Sequence, residues 1–115
     1  MRSSISASEY GRLAETLAAT WLRLRGYRIV GRNVRVAGRE IDVVARRGST
    51  LVVCEVKARR TTSRGAPVEA VDARKRRRMR EAGEMLLAAH PGLERVRFDV
   101  IAVDGLRLTH IRAAF

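Results

Sequence analysis

Cysteine is nearly missing from this chain. Cys54 stands alone, which excludes an internal disulfide. Aromatic residues make up only 4% of the sequence, and Tyr10, Trp21, Tyr27, Phe98 and Phe115 are scattered along it. Stacking of bases on an aromatic platform is therefore not expected. No hydrophobic run is long enough for a transmembrane helix. Met1 to Glu9 is short and polar and lacks the apolar core of a signal peptide, so a cytoplasmic chain with no membrane partner is expected. His90 and His110 lie far apart with no paired His or Cys spacing, which argues against zinc. Acidic residues are half as common as basic ones, 12 against 24, leaving a net charge of +12. A domain this basic most often meets nucleic acid, through arginine contacts to phosphate, with an anionic membrane surface as the lesser alternative.

Lysine is scarce too. Of the 24 basic residues only Lys57 and Lys75 are lysine. A chain that uses arginine wherever a positive charge suffices keeps lysine where a compact, tunable ammonium has a use. At 115 residues the chain is one domain with a single core.

The stretch from Arg39 to Ala58 reads as a hairpin turning at Gly48-Ser49. In that register Arg47 faces Thr50, Asp42 falls opposite Glu55, and Glu40 falls opposite Lys57. Alternation places Ile41, Val43, Ala45, Val52, Cys54 and Val56 on one apolar face, with Cys54 as a small core residue. Glu40, Asp42, Glu55 and Lys57 share the open end of the other face. Like charges directly opposite on a sheet repel. Two facing carboxylates raise each other's pKa or recruit a cation, and a hard divalent ion, Mg²⁺ (or Mn²⁺), is the simplest resolution. An exposed sheet end with ordinary Glu40–Lys57 pairing explains those two residues but not Asp42 facing Glu55.

Around the hairpin, Ser6-Ala-Ser-Glu9 is a capping-box pattern, with Ser8 as a competing cap, and a helix is expected to about Arg25. Leu13, Ala14, Leu17, Ala18, Trp21 and Leu22 form its apolar arc, with Glu15 at the margin. Tyr27 to about Val36 reads as a first strand with a bulge at Gly31 and a turn at Ala37-Gly38. That register makes Asn33 a neighbour able to polarise Asp42; a strand-end role is the alternative. Residues 58–67 are small, polar and basic and read as a mobile loop beside the site, carrying Arg59, Arg60 and Arg64. A second helix is expected after an Asp72 N-cap to about Ala89, with Lys75, Met79, Ala82, Leu86 and Ala89 in one stripe. Lys75 continues that stripe toward the carboxylates, or snorkels at the first turn. Arg76, Arg77 and Arg80 face mostly outward as a DNA-contact surface. Two strands follow, Arg95 to Val103 and Leu106 to Ile111, turning at Asp104-Gly105, and Asp99 is expected to pair with arginine.

Asp42 followed on the next strand by Glu55-Val56-Lys57 resembles the PD-(D/E)XK nuclease superfamily. Gly11, Glu15, Asn33, Glu40-Ile41-Asp42, Glu55-Val-Lys-Ala-Arg59, Gly65, Pro67, Lys75 and Arg97-Phe-Asp-Val100 together resemble the small bacterial YraN-like family within it. Arg39 departs from the glycine usual there, and Ile41 stands where the superfamily has proline. The resemblance implies an α/β single domain, a mixed sheet flanked by helices with an αβββαβ(β) restriction-endonuclease-like core. It implies a metal-dependent endonuclease acting on DNA, with RNA as the less favoured nucleic acid. Asp42 and Glu55 would ligate the ion, Glu15 would join them, and Lys57 would orient water or neutralise charge. Glu40, Asn33 and Lys75 would support that set. The helix glutamate resembles the arrangement in Holliday-junction resolvases, which suggests branched or structured substrates. The alternatives are a nucleic-acid-binding protein on a nuclease scaffold with weak or no catalysis, and a basic assembly protein that binds RNA or ribosomes. A homo-oligomer is compatible with the sequence.

Overall fold

The structure, a computed structural model, describes residues 6–59 and 72–115. Arg60, Arg64, Gly65 and Pro67 lie outside the described residues. Helix α1 (Ala7–Leu24) is followed by strands β1 (Arg28–Val36), β2 (Arg39–Arg47) and β3 (Thr50–Arg59). Helix α2 (Ala73–Ala88) and strands β4 (Arg95–Asp104) and β5 (Arg107–Ile111) complete the fold. The five strands form one mixed sheet in the order β1-β2-β3-β4-β5. β3 and β4 are parallel and the other neighbours antiparallel. The architecture is the expected α/β one. Among the described residues, no helix is long and apolar enough to cross a membrane.

The capping box forms as read: Ser6 Oγ accepts the Glu9 N–H at 3.1 Å, and Glu9 Oε1 accepts the Ser6 N–H at 2.8 Å. Helix α1 buries Ala14, Ala18, Ala19 and Leu22. Its alanines let the helix lie close to one sheet face, where Val43, Ala45, Val52, Cys54, Ile101 and Val103 receive it. Leu13, expected on this arc, is instead 46% exposed, because the helix rolls toward its small residues and buries Ala19. Helix α2 packs Met79 and Ala82 on the opposite face against Val44, Leu51, Val53 and Phe98. Ala89, the last residue of its expected stripe, is the exposed C-cap. With a helix on each face, the middle strand β3 is buried from Leu51 to Glu55 on both sides. Each fully buried branched side chain there contributes about 1.5–3 kcal/mol.

The hairpin turns at Gly48-Ser49, and Gly48 supplies the positive φ of 60° that the turn needs. Its register is the expected one from Arg47↔Thr50 to Val43↔Cys54. The bulge near Gly31 is present as well. Ile41 does not share the face of Val43. Asn33 adopts a left-handed φ of 51° between the Arg32↔Val43 and Val34↔Ile41 pairs. The pleat breaks there, and Val34 and Ile41 pack together on the α2 side. The β4–β5 turn also sits one residue later than expected. Asp104 pairs with Arg107, leaving Gly105-Leu106 as the turn. The Tyr10 hydroxyl anchors that corner, accepting the Gly105 N–H at 2.7 Å and donating to the Arg59 carbonyl.

Candidate active site

The expected facing pair of Asp42 and Glu55 is not a ladder pair. β2 and β3 stop pairing at Val43↔Cys54. Beyond that point β2 stays with β1 as far as Val36↔Arg39, and β3 stays with β4 as far as Arg59↔Asp104. The two strands stop pairing with each other while each keeps its outer partner, and the sheet is split there. Asp42 stands in that opening. Its Oδ2 accepts the Val56 N–H at 2.8 Å, which replaces a missing ladder bond with a side-chain one.

Glu55 is buried at the start of the split, 8% exposed. Its Oε2 receives Lys75 Nζ from α2 at 2.6 Å and stands 3.6 Å from Lys57 Nζ, two residues along the same face. The chain's two lysines therefore converge on one carboxylate oxygen. Asp42 has no such neutralisation. Burial, then repulsion from Glu55, push its carboxyl up from 3.8 to about 7, and the Val56 N–H and Lys75 only partly offset this. Glu15 on α1 adds a smaller repulsion, so Asp42 feels acidic groups from both layers.

Other expected members take different partners. Asn33 donates to Glu15 Oε1 at 3.2 Å and not to Asp42, since its left-handed backbone turns it toward α1. Glu40 is exposed and faces Arg35 across β1, so the expected Glu40–Lys57 pairing does not form once the strands separate. Glu15 is drawn to Asn33, and among the described residues no three His, Cys, Asp or Glu side chains form a metal-holding group. On α2, Arg77 is exposed, Arg76 lies over Phe115 at 5.8 Å, and Arg80 lies over Phe98 at 5.3 Å. Arg59 ends β3 beside the split.

A second polar cluster exceeds what the sequence suggested. Asp99, wholly buried, takes two hydrogen bonds from Arg97 at 2.8 and 2.7 Å. It also bonds His110 Nε2 at 2.8 Å and accepts the Ala113 N–H at 3.0 Å. Burial alone would raise its pKa; these donors outweigh burial and lower it. Arg97 reaches on to the Tyr27 hydroxyl at 2.7 Å, and the Trp21 indole N–H donates to His110 Nδ1 at 3.2 Å. Arg97 and Asp99 alternate onto one face, so their pairing was readable. His110 joins only through the β4–β5 register, which no spacing reveals.

A mixed α/β sheet between two helices, split beside two carboxylates and a lysine, is consistent with a restriction-endonuclease-like core. The profile of the "Uncharacterised protein family UPF0102" matches residues 14–103. The chain belongs to that family. It is 41% identical to a UPF0102 protein of Acidothermus cellulolyticus, with all of both chains covered. It is 46% identical to one of Anaeromyxobacter dehalogenans, covering 91% of this chain and 82% of the relative. A UPF0102 protein of Kineococcus radiotolerans is also 46% identical, over 90% of this chain and 84% of the relative.

Proposed function

We propose that this protein is a divalent-metal-dependent endonuclease acting on DNA, in line with the resemblance to the YraN-like branch of the PD-(D/E)XK superfamily. The observation that carries this reading is the meeting of Asp42, Glu55 and Lys57 at the split between β2 and β3. The donor set suits Mg²⁺ (or Mn²⁺). It offers only hard oxygens, and magnesium is commonly held by one or two carboxylates, with waters and substrate phosphate completing the shell. A carboxyl held near 7 by burial and a neighbouring negative charge is one whose ionised form a cation would favour. Asp42 and Glu55 would hold the ion, with Glu15 close enough to add charge. When bound, it would supply Lewis acidity and a nucleophile at neutral pH.

The chain's own residues account for the rest. Lys75 balances Glu55 and orients its carboxylate. Lys57, with its side chain 26% exposed, holds a compact ammonium 3.6 Å from Glu55 at the split. There it would orient water or neutralise charge that builds on the phosphate. Arg59, Arg76, Arg77 and Arg80, with Arg60 and Arg64, would grip the phosphate backbone, and the glutamate of α1 favours a branched or structured substrate.

A nicking assay tests this over single-stranded, flap, fork and four-way DNA with Mg²⁺, Mn²⁺ or EDTA. Cleavage that needs the ion and is lost in Asp42→Asn is expected. Activity that survives EDTA, or no activity on any substrate, overturns it. The second reading, nucleic-acid binding without catalysis, is favoured by one contact. Lys75 already occupies the Glu55 oxygen at 2.6 Å.

A further inference from the structure

At the turn end of the hairpin, away from the carboxylates, a cavity of about 490 Å³ opens between α1, the β2 end and the C-terminal strand. Trp21, Arg25, Tyr27, Arg47, His110 and Arg112 line it. At roughly 3.3 Å per strand residue, Arg47 lies about 17 Å along β2 from Asp42. Arg25 lies over the Trp21 ring at 4.0 Å and Arg47 over Tyr27 at 5.2 Å. Three guanidiniums thus face one cavity, and among the described residues none of the three has a carboxylate partner. A second hollow, lined partly by Arg95, Arg97 and Arg112, adjoins it.

The wall behind these arginines is built rigidly. The Trp21 indole is a donor only, so His110 Nδ1 accepts from it, and the ring donates from Nε2 to Asp99. Both ring nitrogens are thereby engaged, and His110 is part of the wall. Arg97 is spent on Asp99 and Tyr27. What remains without a carboxylate partner is the set Arg25, Arg47 and Arg112, the first two held over aromatic rings and Arg47 also bonded to the Tyr27 hydroxyl. Guanidinium recognises phosphate through paired N–H groups. The cavity exceeds what a bare phosphate needs and falls in the size range of ordinary ligand pockets, which leaves room for a group attached to the phosphate.

We infer that the cavity between Trp21, Tyr27, Arg47 and Arg112 is a phosphate-binding site, separate from the Asp42–Glu55 cleft, that takes a phosphate ester or free phosphate through Arg25, Arg47 and Arg112. The site does not depend on cleavage. Its test is run in EDTA and reads no nuclease activity.

Trp21 is the only tryptophan, and its ring carries one of the binding guanidiniums, so its emission reports on the cavity. Inorganic phosphate, a short 5′-phosphorylated oligonucleotide and its unphosphorylated counterpart are titrated in turn, with emission and binding heat followed together. A saturable emission change is expected. Arg47→Gln and Arg112→Gln should each weaken it about tenfold or more, as the loss of a charge-assisted contact does. Arg35→Gln, remote on β1, should match the wild type. Response to inorganic phosphate alone assigns a free anion. Preference for the phosphorylated oligonucleotide assigns a terminal phosphate, and equal response to both oligonucleotides assigns the internal backbone. No saturable change with any of the three, or binding equally strong in both cavity variants, overturns the site. Arg112 is exposed, so its variant tests the idea even if Arg47→Gln perturbs Tyr27.

Discussion

Lys75 Nζ donates to Glu55 Oε2 at 2.6 Å, joining the first turn of α2 to the middle strand of the sheet. Asp72 caps that turn, its Oδ1 accepting the Lys75 N–H at 2.8 Å, so the same residue is fixed at backbone and at side chain. The contact gives a charged residue in line with a buried stripe its physical reason. It also puts an ammonium where a metal ion's charge would act.

Replacing that ammonium separates the two effects. Lys75→Met leaves Glu55 buried with only the more distant Lys57, so stability should fall by about 1.5–3 kcal/mol, as for a lost hydrogen bond to a charged group. Mn²⁺ affinity, measured by calorimetry, should rise, because the competing cation is gone. Equal Mn²⁺ binding in the variant would mean that Lys75 does not compete with the ion at Glu55, and weaker binding that its orienting of the carboxylate outweighs its charge.

Asp42 makes stability depend on pH. Its folded pKa, about 7, stands above the ordinary value of 3.8. Between those values the folded chain keeps a proton that the unfolded chain has lost. Stability is therefore fully present below the lower value, and is lost as pH rises through the upper one. The effect is on the order of a few kcal/mol. Asp42→Asn has no proton to lose and still offers an oxygen to the Val56 N–H. In urea unfolding it should be clearly more stable than the wild type at pH ~8 and close to it at pH ~4. Parallel pH curves for the two proteins would place Asp42 in a more solvated setting.

Much of this site was legible because the hairpin register depends on local signals. The Gly48-Ser49 turn and the alternation of β2 and β3 placed Asp42 and Glu55 at one end. The scarcity of lysine marked both residues that meet Glu55. What was not legible arises from competition between strands. Alternation carries Ile41 onto the face of Val43, yet Ile41 packs on the α2 side, beside the left-handed Asn33 of the neighbouring strand. Pairing between β2 and β3 stops at Val43↔Cys54 although both strands continue with their outer partners, which is visible only in the whole sheet. His110 meets Asp99 through tertiary register alone.

Gly83 tests how closely α2 approaches the sheet. A Cβ there would come within 2.7 Å of Phe98 Cζ and 3.2 Å of Val96 Cγ2. Phe98 is 2% exposed and stacked on Phe115, so its ring has little room to yield. Alanine gains about 1 kcal/mol of helix propensity, and overpacking costs about 1–3 kcal/mol. Gly83→Ala should therefore lower stability modestly, seen as a lower urea midpoint with unchanged slope. A higher midpoint would mean that propensity wins and the approach is looser.

The α2 arginines should carry salt-dependent binding. Replacing Arg76, Arg77 and Arg80 with Gln should weaken DNA affinity and flatten its dependence on log salt by roughly one unit per lost phosphate contact. Arg76 and Arg80 also lie over aromatic rings. Arg77→Gln alone is thus the cleaner variant and should account for about one unit. An unchanged slope in the triple variant would move the contact surface to the β3 end around Arg59.

Lys57 distinguishes an enzyme from a binding protein. Its Nζ stands 3.6 Å from Glu55 Oε2, too far for a tight pair, while Lys75 already satisfies that oxygen at 2.6 Å. Lys57 is therefore not needed to neutralise Glu55, and its ammonium is left for the cleft. If charge alone mattered there, Lys57→Arg would be harmless in a chain that uses arginine at nearly every other basic position. A planar guanidinium is larger and cannot take the place of a compact amine beside a reacting phosphate. Lys57→Arg should keep the fold and DNA affinity and lose about 10²-fold or more in metal-dependent cleavage, the scale of a positioned proton donor or acceptor. A loss in kcat with KM unchanged would mark a contact made in the transition state. Cleavage at the wild-type rate would remove Lys57 from the chemistry. If both proteins bind DNA and neither cuts any substrate with any divalent ion, nucleic-acid binding on a nuclease scaffold becomes the better account.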